Sequence, residues 1–250
     1  MGVCASTFAD VLTKIVDVEG WLSKEQARCL YNRAVALPQG SQVVEIGSFR
    51  GRSLIVLACA APEDAQLVAI DPHAGNDRGP KEIRSNQKLG DADNRVFKAN
   101  LDRAGVAHRV THIRKMSTEA SGDVNGDINL LYIDGAHRYR TARNDIVRYG
   151  NRVVTNGTML VHDAFSSIGV TGALLTSTFT SRRWLYQGRC GSLAQYRRQP
   201  VRGSAALTNV FQQTLQLGWF LRNIFIKTAL TLKLYPLTRI FGHTTRDWPY

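Results

Sequence analysis

The chain has 250 residues, 44% of them hydrophobic, which suits one α/β domain with a full core and makes a second catalytic domain unexpected. Its net charge is +12, but residues 1–163 contribute +2 and residues 164–250 contribute +10, because no acid lies between Asp163 and Asp247. This asymmetry indicates an anionic partner for the C-terminal third, either a membrane surface or nucleic acid.

The cysteines and the N-terminal composition bear on the cellular compartment. The chain has four widely separated cysteines, Cys4, Cys29, Cys59 and Cys190. Since they include no C-x-x-C pair, we expect reduced thiols. The N-terminal stretch carries three acids, Asp10, Asp17 and Glu19, and so does not resemble a signal peptide. We expect a cytoplasmic protein, with peripheral attachment to the inner face of the membrane as an additional expectation.

Two helices are predicted in the first segment, residues 1–37. Apolar residues recur at helical spacing over 7–37, with a break near Glu19 and Gly20. Ser23 followed by Gln26 predicts a capping box at the start of the second helix.

Strands and helices then alternate. Apolar runs bounded by turn residues predict strands at 42–46, 67–70, 109–113, 129–133 and 157–162. The stretches between them predict helices at 52–61, 94–105 and 140–154. Two more strands, 183–189 and 192–198, predict an antiparallel hairpin. The order predicts an α/β fold with a parallel sheet, helices on both faces and a closing hairpin, and we divide the chain into 1–37, 38–199 and 200–250.

Acids and histidines follow two of these strands. Asp134 and His137 come after 129–133, and His162 and Asp163 come at the end of 157–162. Because ligands bind at the carboxyl ends of parallel strands, we expect all four side chains to meet at one rim of the sheet.

The first strand leads into a glycine-containing turn. Val43-Val-Glu-Ile-Gly-Ser-Phe-Arg-Gly-Arg-Ser53 places Gly47 and Gly51 between a strand and a helix, where the backbone can turn tightly and approach a ligand. The second strand, Leu67-Val-Ala-Ile-Asp-Pro72, ends in Asp71, and a carboxylate there suits the two hydroxyls of a ribose. Glu45 would anchor the turn or reach the amino group of a ligand.

These motifs, with Ile133-Asp-Gly-Ala-His-Arg-Tyr139, Asp145 and His162-Asp163, resemble those of the class I S-adenosylmethionine-dependent methyltransferases. Within that class they are similar to the metal-dependent O-methyltransferases that act on sugars. The resemblance covers about residues 38–198. It implies S-adenosylmethionine as cofactor, held by Glu45, Gly47, Ser48, Gly51, Asp71, Ser117 and Asp134. Phe49 departs from the pattern, because many relatives have glycine there.

The resemblance implies that the chemistry at the rim is methyl transfer to a hydroxyl. Asp134 and Asp163 offer hard oxygen ligands suited to Mg²⁺, which lowers the pKa of a bound hydroxyl, and His137 lies where it can take the proton. The resemblance implies the same roles. Asp134 could instead cap the next helix. His162 is a metal ligand, a substrate contact or simply a buried residue.

Other polar residues have less defined roles. The stretch 74–93 predicts a long loop, which we interpret as a substrate lid rather than a disordered segment. His73 flanks the predicted cofactor pocket. Asp145 lies in a predicted helix, and we expect it to pair with Arg148 or Arg143.

The tail, residues 203–241, is apolar but interrupted by cations. Arg222, Asn223, Lys227 and Lys233 make a membrane-spanning helix unfavourable. We therefore expect a helix that lies on an anionic membrane surface, with Trp219 and Phe225 in the headgroup region. A helix packed on the domain or in a homodimer is the alternative.

Three function classes compete. We favour an O-methyltransferase acting on a small-molecule or glycan acceptor such as a sugar, a glycolipid or another polyol. A nucleic-acid methyltransferase would use the basic third of the chain, but the sequence has no Asn-Pro-Pro-Tyr motif and no added RNA-binding fold. A non-enzymatic cofactor-binding module is the third class, and the acids and histidine at the rim argue against it.

Overall fold

The computed structural model describes residues 7–75, 77–78, 81–82, 84–246 and 248. Cys4 and parts of the predicted loop 74–93 lie outside the described residues. The helices are α1 Phe8–Ile15, α2 Lys24–Val35, α3 Arg52–Ala60, α4 Gln87–Ala104, α5 Ser117–Ala120, α6 Tyr139–Gly150, α7 Ile168–Ser177, α8 Ser204–Thr231 and α9 Tyr235–Ile240. The strands are β1 Gln42–Ile46, β2 Gln66–Ile70, β3 Asp77–Arg78, β4 Lys81–Glu82, β5 Val110–Ile113, β6 Ile128–Ile133, β7 Val153–Val161, β8 Trp184–Cys190 and β9 Leu193–Arg198.

Seven strands form one sheet in the order β5-β2-β1-β6-β7-β9-β8. The first five are parallel, and β9 pairs antiparallel with both β7 and β8. The predicted parallel sheet with a closing hairpin is therefore confirmed. The order places the ends of β1, β2, β6 and β7 side by side, so the motifs that follow these strands meet at one rim.

The core has two layers because side chains alternate along each strand. Val43 packs on one face with α1, α2 and α3, and Val44 packs on the other face with α6 and α7. The predicted capping box of α2 is present, since Ser23 and Gln26 each accept a backbone N–H of the other. The first segment is thus part of the domain core.

Three predicted boundaries are wrong. Helix α4 begins at Gln87 rather than 94, because Asn86 Oδ1 accepts the N–H of Leu89 and caps a polar first turn. The predicted loop 74–93 is correspondingly shorter. Helix α6 ends at Gly150 rather than 154, and β7 begins at Val153 rather than 157. The first part of β7 contains a polar stretch, and Asn156 has a φ of +66° where the register against β6 shifts.

The tail forms α8 and α9, and α8 packs beside the hairpin. Asn209, which is buried, accepts the N–H of Tyr186 and donates to the carbonyl of Trp184 on the edge strand β8. An amide side chain thereby satisfies part of a sheet edge. Trp219 packs beneath the guanidinium of Arg189 and against the core, so it does not project outward as predicted. Within the described ranges, no helix combines the length and the apolar character needed to cross a bilayer.

Candidate active site

A cavity of about 640 Å³ opens at the carboxyl ends of the parallel strands. Its walls come from the turns after β1, β2, β6 and β7, as the motifs predicted. Two segments that the motifs did not predict also contribute, since Trp21 lies between α1 and α2 and Lys227 lies on α8. All three parts of the chain therefore build this cavity.

The turn after β1 has the glycine conformation that the sequence indicated. Gly47 has a φ of +88°, and a Cβ atom there would lie 2.2 Å from the carbonyl oxygen of Asp134. Gly51 has a φ of +87° and begins α3. Gly47 lines the cavity, whereas Ser48 is buried and Gly51 lies at the helix start, outside the lining. A side chain at Gly47 would push the turns after β1 and β6 apart.

Phe49 occupies a glycine-like conformation. Its φ is +43°, which a non-glycine residue rarely adopts, and its ring lies 5.3 Å from the ring of Trp21 at the cavity wall. The two aromatic rings replace the open space that a glycine would leave. At the departure from the family pattern, a phenylalanine therefore has a φ that glycine adopts readily.

Asp71 and His73 hold this turn in place. Asp71 accepts the N–H of Phe49 at 2.7 Å and the N–H of His73 at 2.7 Å, one on each carboxylate oxygen. His73 Nε2 lies 2.7 Å from the Phe49 carbonyl oxygen, which accepts only, so Nε2 carries the proton. The role of His73, undefined by the sequence, is to lock the turn after β1 to the turn after β2. Asp71 still lines the cavity and can accept from a ligand.

Glu45 is fully buried and does not line the cavity. Ser53 Oγ donates to Glu45 Oε1, so Glu45 ties β1 to α3. Burial raises the pKa of Glu45 to about 8, against the opposing effect of the Ser53 and Ser48 hydroxyls. Of the two predicted roles, this position favours the anchor of the turn.

Ser117 and Asp145 line the cavity together. Asp145 is buried, and burial raises its pKa to about 6 although a hydrogen bond from Ser117 and the charge of Arg148 lower it. Arg148 donates its hydrogen bonds to the Thr118 carbonyl and to Ser121. The predicted local pairing of Asp145 is therefore present with Arg148 as a charge interaction without a hydrogen bond, because the helix turns the carboxylate toward Ser117.

Asp134, His162 and Asp163 converge at the rim. Their ligand atoms lie within 4.8 Å of one another. His162 Nδ1 lies 3.1 Å from Asp134 Oδ1 and 3.4 Å from Asp163 Oδ2. Tyr132 donates to the other Asp134 oxygen at 2.8 Å. Asp163 has a φ of +54°, so its carboxylate is aimed by an uncommon backbone conformation. The predicted meeting of these side chains is borne out by the geometry.

This group has the composition of a divalent cation site. His162 Nε2 lies 3.4 Å from Gln26 Oε1, an acceptor, so Nε2 carries a proton and Nδ1 faces the two carboxylates. Nδ1 is buried and makes no aligned hydrogen bond with any residue that the structure describes. A cation among these three atoms would satisfy that arrangement, and Gln26 would orient the imidazole from behind.

The same charges govern the protonation of the group. Burial opposes the charged form of His162, but the Asp134 and Asp163 carboxylates outweigh it and raise its pKa. Burial likewise opposes the charged form of Asp163, and His162 with His137 outweighs it and lowers its pKa. The cluster is therefore an electrostatic unit that favours positive charge among the carboxylates.

His137 lies at the edge of this cluster. Its Nε2 is 2.7 Å from Asp163 Oδ2, and its side chain is 35% exposed to the cavity side. Burial alone would lower the pKa of His137, but its hydrogen bond with Asp163 and the nearby carboxylates raise it. With Nε2 held by Asp163, Nδ1 is the ring nitrogen that can accept a proton.

Comparison with known proteins supports a methyltransferase domain in this chain. A family model described as a methyltransferase domain matches residues 44–164. Tricin synthase 1 of Oryza sativa subsp. japonica is 28% identical over 165 residues, which are 59% of this chain and 58% of that protein. The chain thus spans a little over half of the length of this curated relative.

Solved structures share the fold. A crystal structure described as a putative O-methyltransferase from Klebsiella pneumoniae has a TM-score of 0.58 at 16% identity, covering 77% of this chain and 89% of that one. An O-methyltransferase from Bacillus cereus in complex with SAH has a TM-score of 0.54 at 14% identity, covering 76% and 90%. These solved structures share the fold of the chain. Together with the family model and the motifs after β1 and β2, the likenesses support a class I S-adenosylmethionine-dependent methyltransferase.

Proposed function

We propose that the protein is a metal-dependent O-methyltransferase that methylates a hydroxyl group of a sugar, glycolipid or other polyol. The observation that carries this proposal is the convergence of Asp134, His162 and Asp163, with His137 beside them, in the cavity that contains the glycine turn. A methyltransferase acting on an amine or a carbon acid has less need of such a group.

The cofactor would lie across the turns after β1 and β2. Asp71 would accept the ribose hydroxyls, since its carboxylate reaches the cavity. Ser117 and Asp145 would face the adenine. Gly47 lets the backbone approach the rest of the cofactor, and Glu45 fixes that turn from below. This arrangement leaves the side of the cavity near His137 and α8 for the acceptor.

The three ligand residues would hold a divalent cation, most simply Mg²⁺, beside the acceptor hydroxyl. A bound cation lowers the pKa of a coordinated hydroxyl and orients it. Asp134 and Asp163 would supply oxygen ligands, and His162 would supply Nδ1. The histidine departs from an all-oxygen set and makes Mn²⁺ or another borderline cation a second candidate.

His137 would act as the general base. Asp163 holds its Nε2, so Nδ1 is free to take the proton from the acceptor hydroxyl. The negative charge of Asp163 would then stabilise the imidazolium that forms.

The acceptor side of the cavity is rich in hydroxyl groups. Ser166, Ser167, Thr228 and Thr231 line it, beside Lys227. Donors and acceptors at such spacing suit a polyhydroxylated ligand. Nucleic-acid substrates are less favoured, since two cations of the basic third bond within the protein: Arg189 to Gln216, and Arg222 to the Phe241 carbonyl.

The test is an assay of S-adenosylhomocysteine formation with a panel of sugars, glycosides and catechols, and with RNA as a separate arm. We expect turnover with a polyol acceptor in Mg²⁺ or Mn²⁺, loss of turnover in excess chelator, and recovery on adding the metal back. Mass spectrometry of the product locates the methyl group. Full activity in chelator would reject the metal assignment, and methylated RNA without methylated polyol would reject the acceptor class.

A further inference from the structure

Helix α8 carries an exposed apolar surface on the side that faces away from the domain. Five large apolar side chains are exposed along it: Leu207 by 75%, Phe211 by 62%, Leu215 by 59%, Leu221 by 65% and Phe225 by 41%. At 3.6 residues per turn they lie within roughly a third of the helix circumference. We call this surface the apolar stripe.

The buried side of the same helix carries three amides beside the apolar Ile226, Ala229 and Leu230. The amides are those of Asn209, Gln213 and Asn223, which are buried at 1%, 0% and 0% exposure, and each hydrogen-bonds to the domain. An ordinary surface helix buries its apolar side chains and exposes its amides. Because α8 buries amides while it leaves large apolar side chains exposed, the apolar stripe is available for a partner outside the described domain.

The stripe continues onto the end of the chain. Leu234, Leu237 and Ile240, on and before α9, are exposed by 45%, 38% and 74%. Exposed apolar surface of this extent is rare on a monomer that has no partner.

Cations flank the stripe at both ends. Arg182, Arg183 and Arg202 are exposed near the start of α8, and Val201 N–H donates to the Arg182 carbonyl, which brings the two loops together. Lys233 and Arg239 are exposed near its end. No Asp or Glu occurs from 164 to 246, so the charge is uniformly positive. Apolar residues bordered by cations match the apolar interior and anionic headgroups of a bilayer surface.

The apolar surface reaches the mouth of the cavity. Leu232 lines the cavity and is 62% exposed, and Ile168, from the start of α7, lines it and is 70% exposed. Lys227 and Thr228 line the cavity from the α8 side. The helix that carries the apolar stripe is therefore also a wall of the acceptor pocket.

We infer that the apolar stripe and the flanking cations dock this protein on an anionic membrane surface, with the mouth of the cavity close to the lipid. Resting on the proposed function, the acceptor would be an amphiphile whose polar part enters the cavity while its apolar part stays in the bilayer. A glycolipid has this chemistry.

The docking experiment needs no turnover. The full chain is sedimented with vesicles of phosphatidylcholine, with and without phosphatidylglycerol, at low and at high salt. We expect binding to the anionic vesicles that weakens with salt. Leu207→Ser with Phe211→Ser should abolish binding, whereas Val16→Ser with Val35→Ser, which removes exposed apolar side chains elsewhere, should retain it.

A charge series separates electrostatic attraction from insertion. Arg202→Gln with Arg239→Gln should weaken binding about tenfold or more, and Lys24→Gln with Lys98→Gln, also exposed, should change it little. Circular dichroism and S-adenosylmethionine binding check that each variant folds. Equal binding by all variants would overturn the inference. A second outcome would also overturn it: the chain does not bind vesicles and instead forms a dimer without lipid, and Leu207→Ser with Phe211→Ser converts that dimer to monomer.

The acceptor is tested separately on vesicles that contain a glycolipid. We expect the parent chain to methylate the glycolipid faster than the matching soluble glycoside. In Leu207→Ser with Phe211→Ser, the rate on the glycolipid should fall to the rate on the soluble glycoside. Vesicle binding without methylation of any polyol would reject the proposed function but leave the docking surface standing. Methylation of soluble polyols without vesicle binding would reject the docking surface and leave the proposed function standing.

Discussion

Nε2 of His137 lies 2.7 Å from Oδ2 of Asp163, so the histidine and a carboxylate of the candidate metal site form a pair. Asp163 therefore has two histidine neighbours for which we propose different tasks, His137 on one side and His162 on the other. A change at Asp163 should disturb both the base and the metal site. Separate roles are best tested at His137, Asp134 and Gln26.

We expect His137→Ala to lower kcat by about 10²- to 10⁴-fold, the usual contribution of a positioned base, while the affinity for S-adenosylmethionine stays unchanged. Initial rates at saturating cofactor, with calorimetry for cofactor binding, give the measurement. His108→Ala, at an exposed histidine after α4, is the matched control. A normal kcat in His137→Ala would remove this histidine from the proton transfer.

Metal affinity should depend on the ligands and on the residue behind them. Asp134→Asn should abolish measurable Mn²⁺ binding, and Gln26→Leu should weaken it about 10- to 100-fold, because His162 would lose the acceptor that orients it. Mn²⁺ binding is measured by electron paramagnetic resonance without acceptor. Asp127→Asn, at an exposed acid, is the control. Unchanged Mn²⁺ binding in Asp134→Asn would exclude the site.

Asp71→Ala should weaken S-adenosylmethionine binding about tenfold or more, since hydrogen bonds to a charged group contribute about 1.5–3 kcal/mol. Part of the loss should come from the turn itself, because Asp71 also accepts the N–H groups of Phe49 and His73. His73→Ala therefore tests the structural part alone and should cause a smaller loss. Calorimetry compares both with Asp102→Ala, an exposed acid. Equal affinity in all three variants would contradict the assignment of Asp71.

Glu45 should make the stability of the free protein depend on pH. The pKa rises from an ordinary 4.5 to about 8 on folding, so the unfolded chain releases its proton first as the pH rises. Stability from this group should therefore fall between about pH 4.5 and pH 8 and level off above. Glu45→Gln keeps an acceptor for Ser53 and removes the ionisation. As the pH rises through that range, the Tm of Glu45→Gln should increase relative to the Tm of the parent. Parallel curves of Tm against pH would contradict the raised pKa of Glu45.

The α8 wall should control the acceptor and leave the cofactor alone. Thr228→Phe places bulk in the cavity and should raise the KM for the acceptor by about tenfold or more, with little change in S-adenosylmethionine affinity. Thr214→Phe, on an exposed position of the same helix, is the control for helix stability. Steady-state kinetics over acceptor concentration make the comparison. Equal KM values would place the acceptor elsewhere.

The motifs after the strands could be placed from the sequence because their physics is local. Gly47 and Gly51 mark positive φ angles, and Asp71 ends an apolar run. The parallel order of the strands then follows from their alternation with helices, and it brings Asp134 and Asp163 to one rim.

The start of β7 was misplaced for the opposite reason. A polar residue with glycine after it favours a turn locally, but β7 pairs with β6 on both sides of Asn156, at Val153 and at Thr158, across a shift of register. Pairing across the sheet supplied a free energy that no local pattern contains.

Only the tertiary structure decided what surrounds the predicted residues. Gln26 meets His162 across 136 positions of sequence, and His73 meets the Phe49 carbonyl from another turn. Helix α8 buries amides and exposes its apolar stripe because Asn209 satisfies the edge strand β8, which sequence periodicity does not encode. The sequence by itself determined the positions of the motif residues and the parallel sheet with its closing hairpin, through short motifs with fixed backbone requirements. Contacts between distant segments decided which residues surround the motifs, because hydrogen bonds and packing form between residues that are close in space but distant in the sequence.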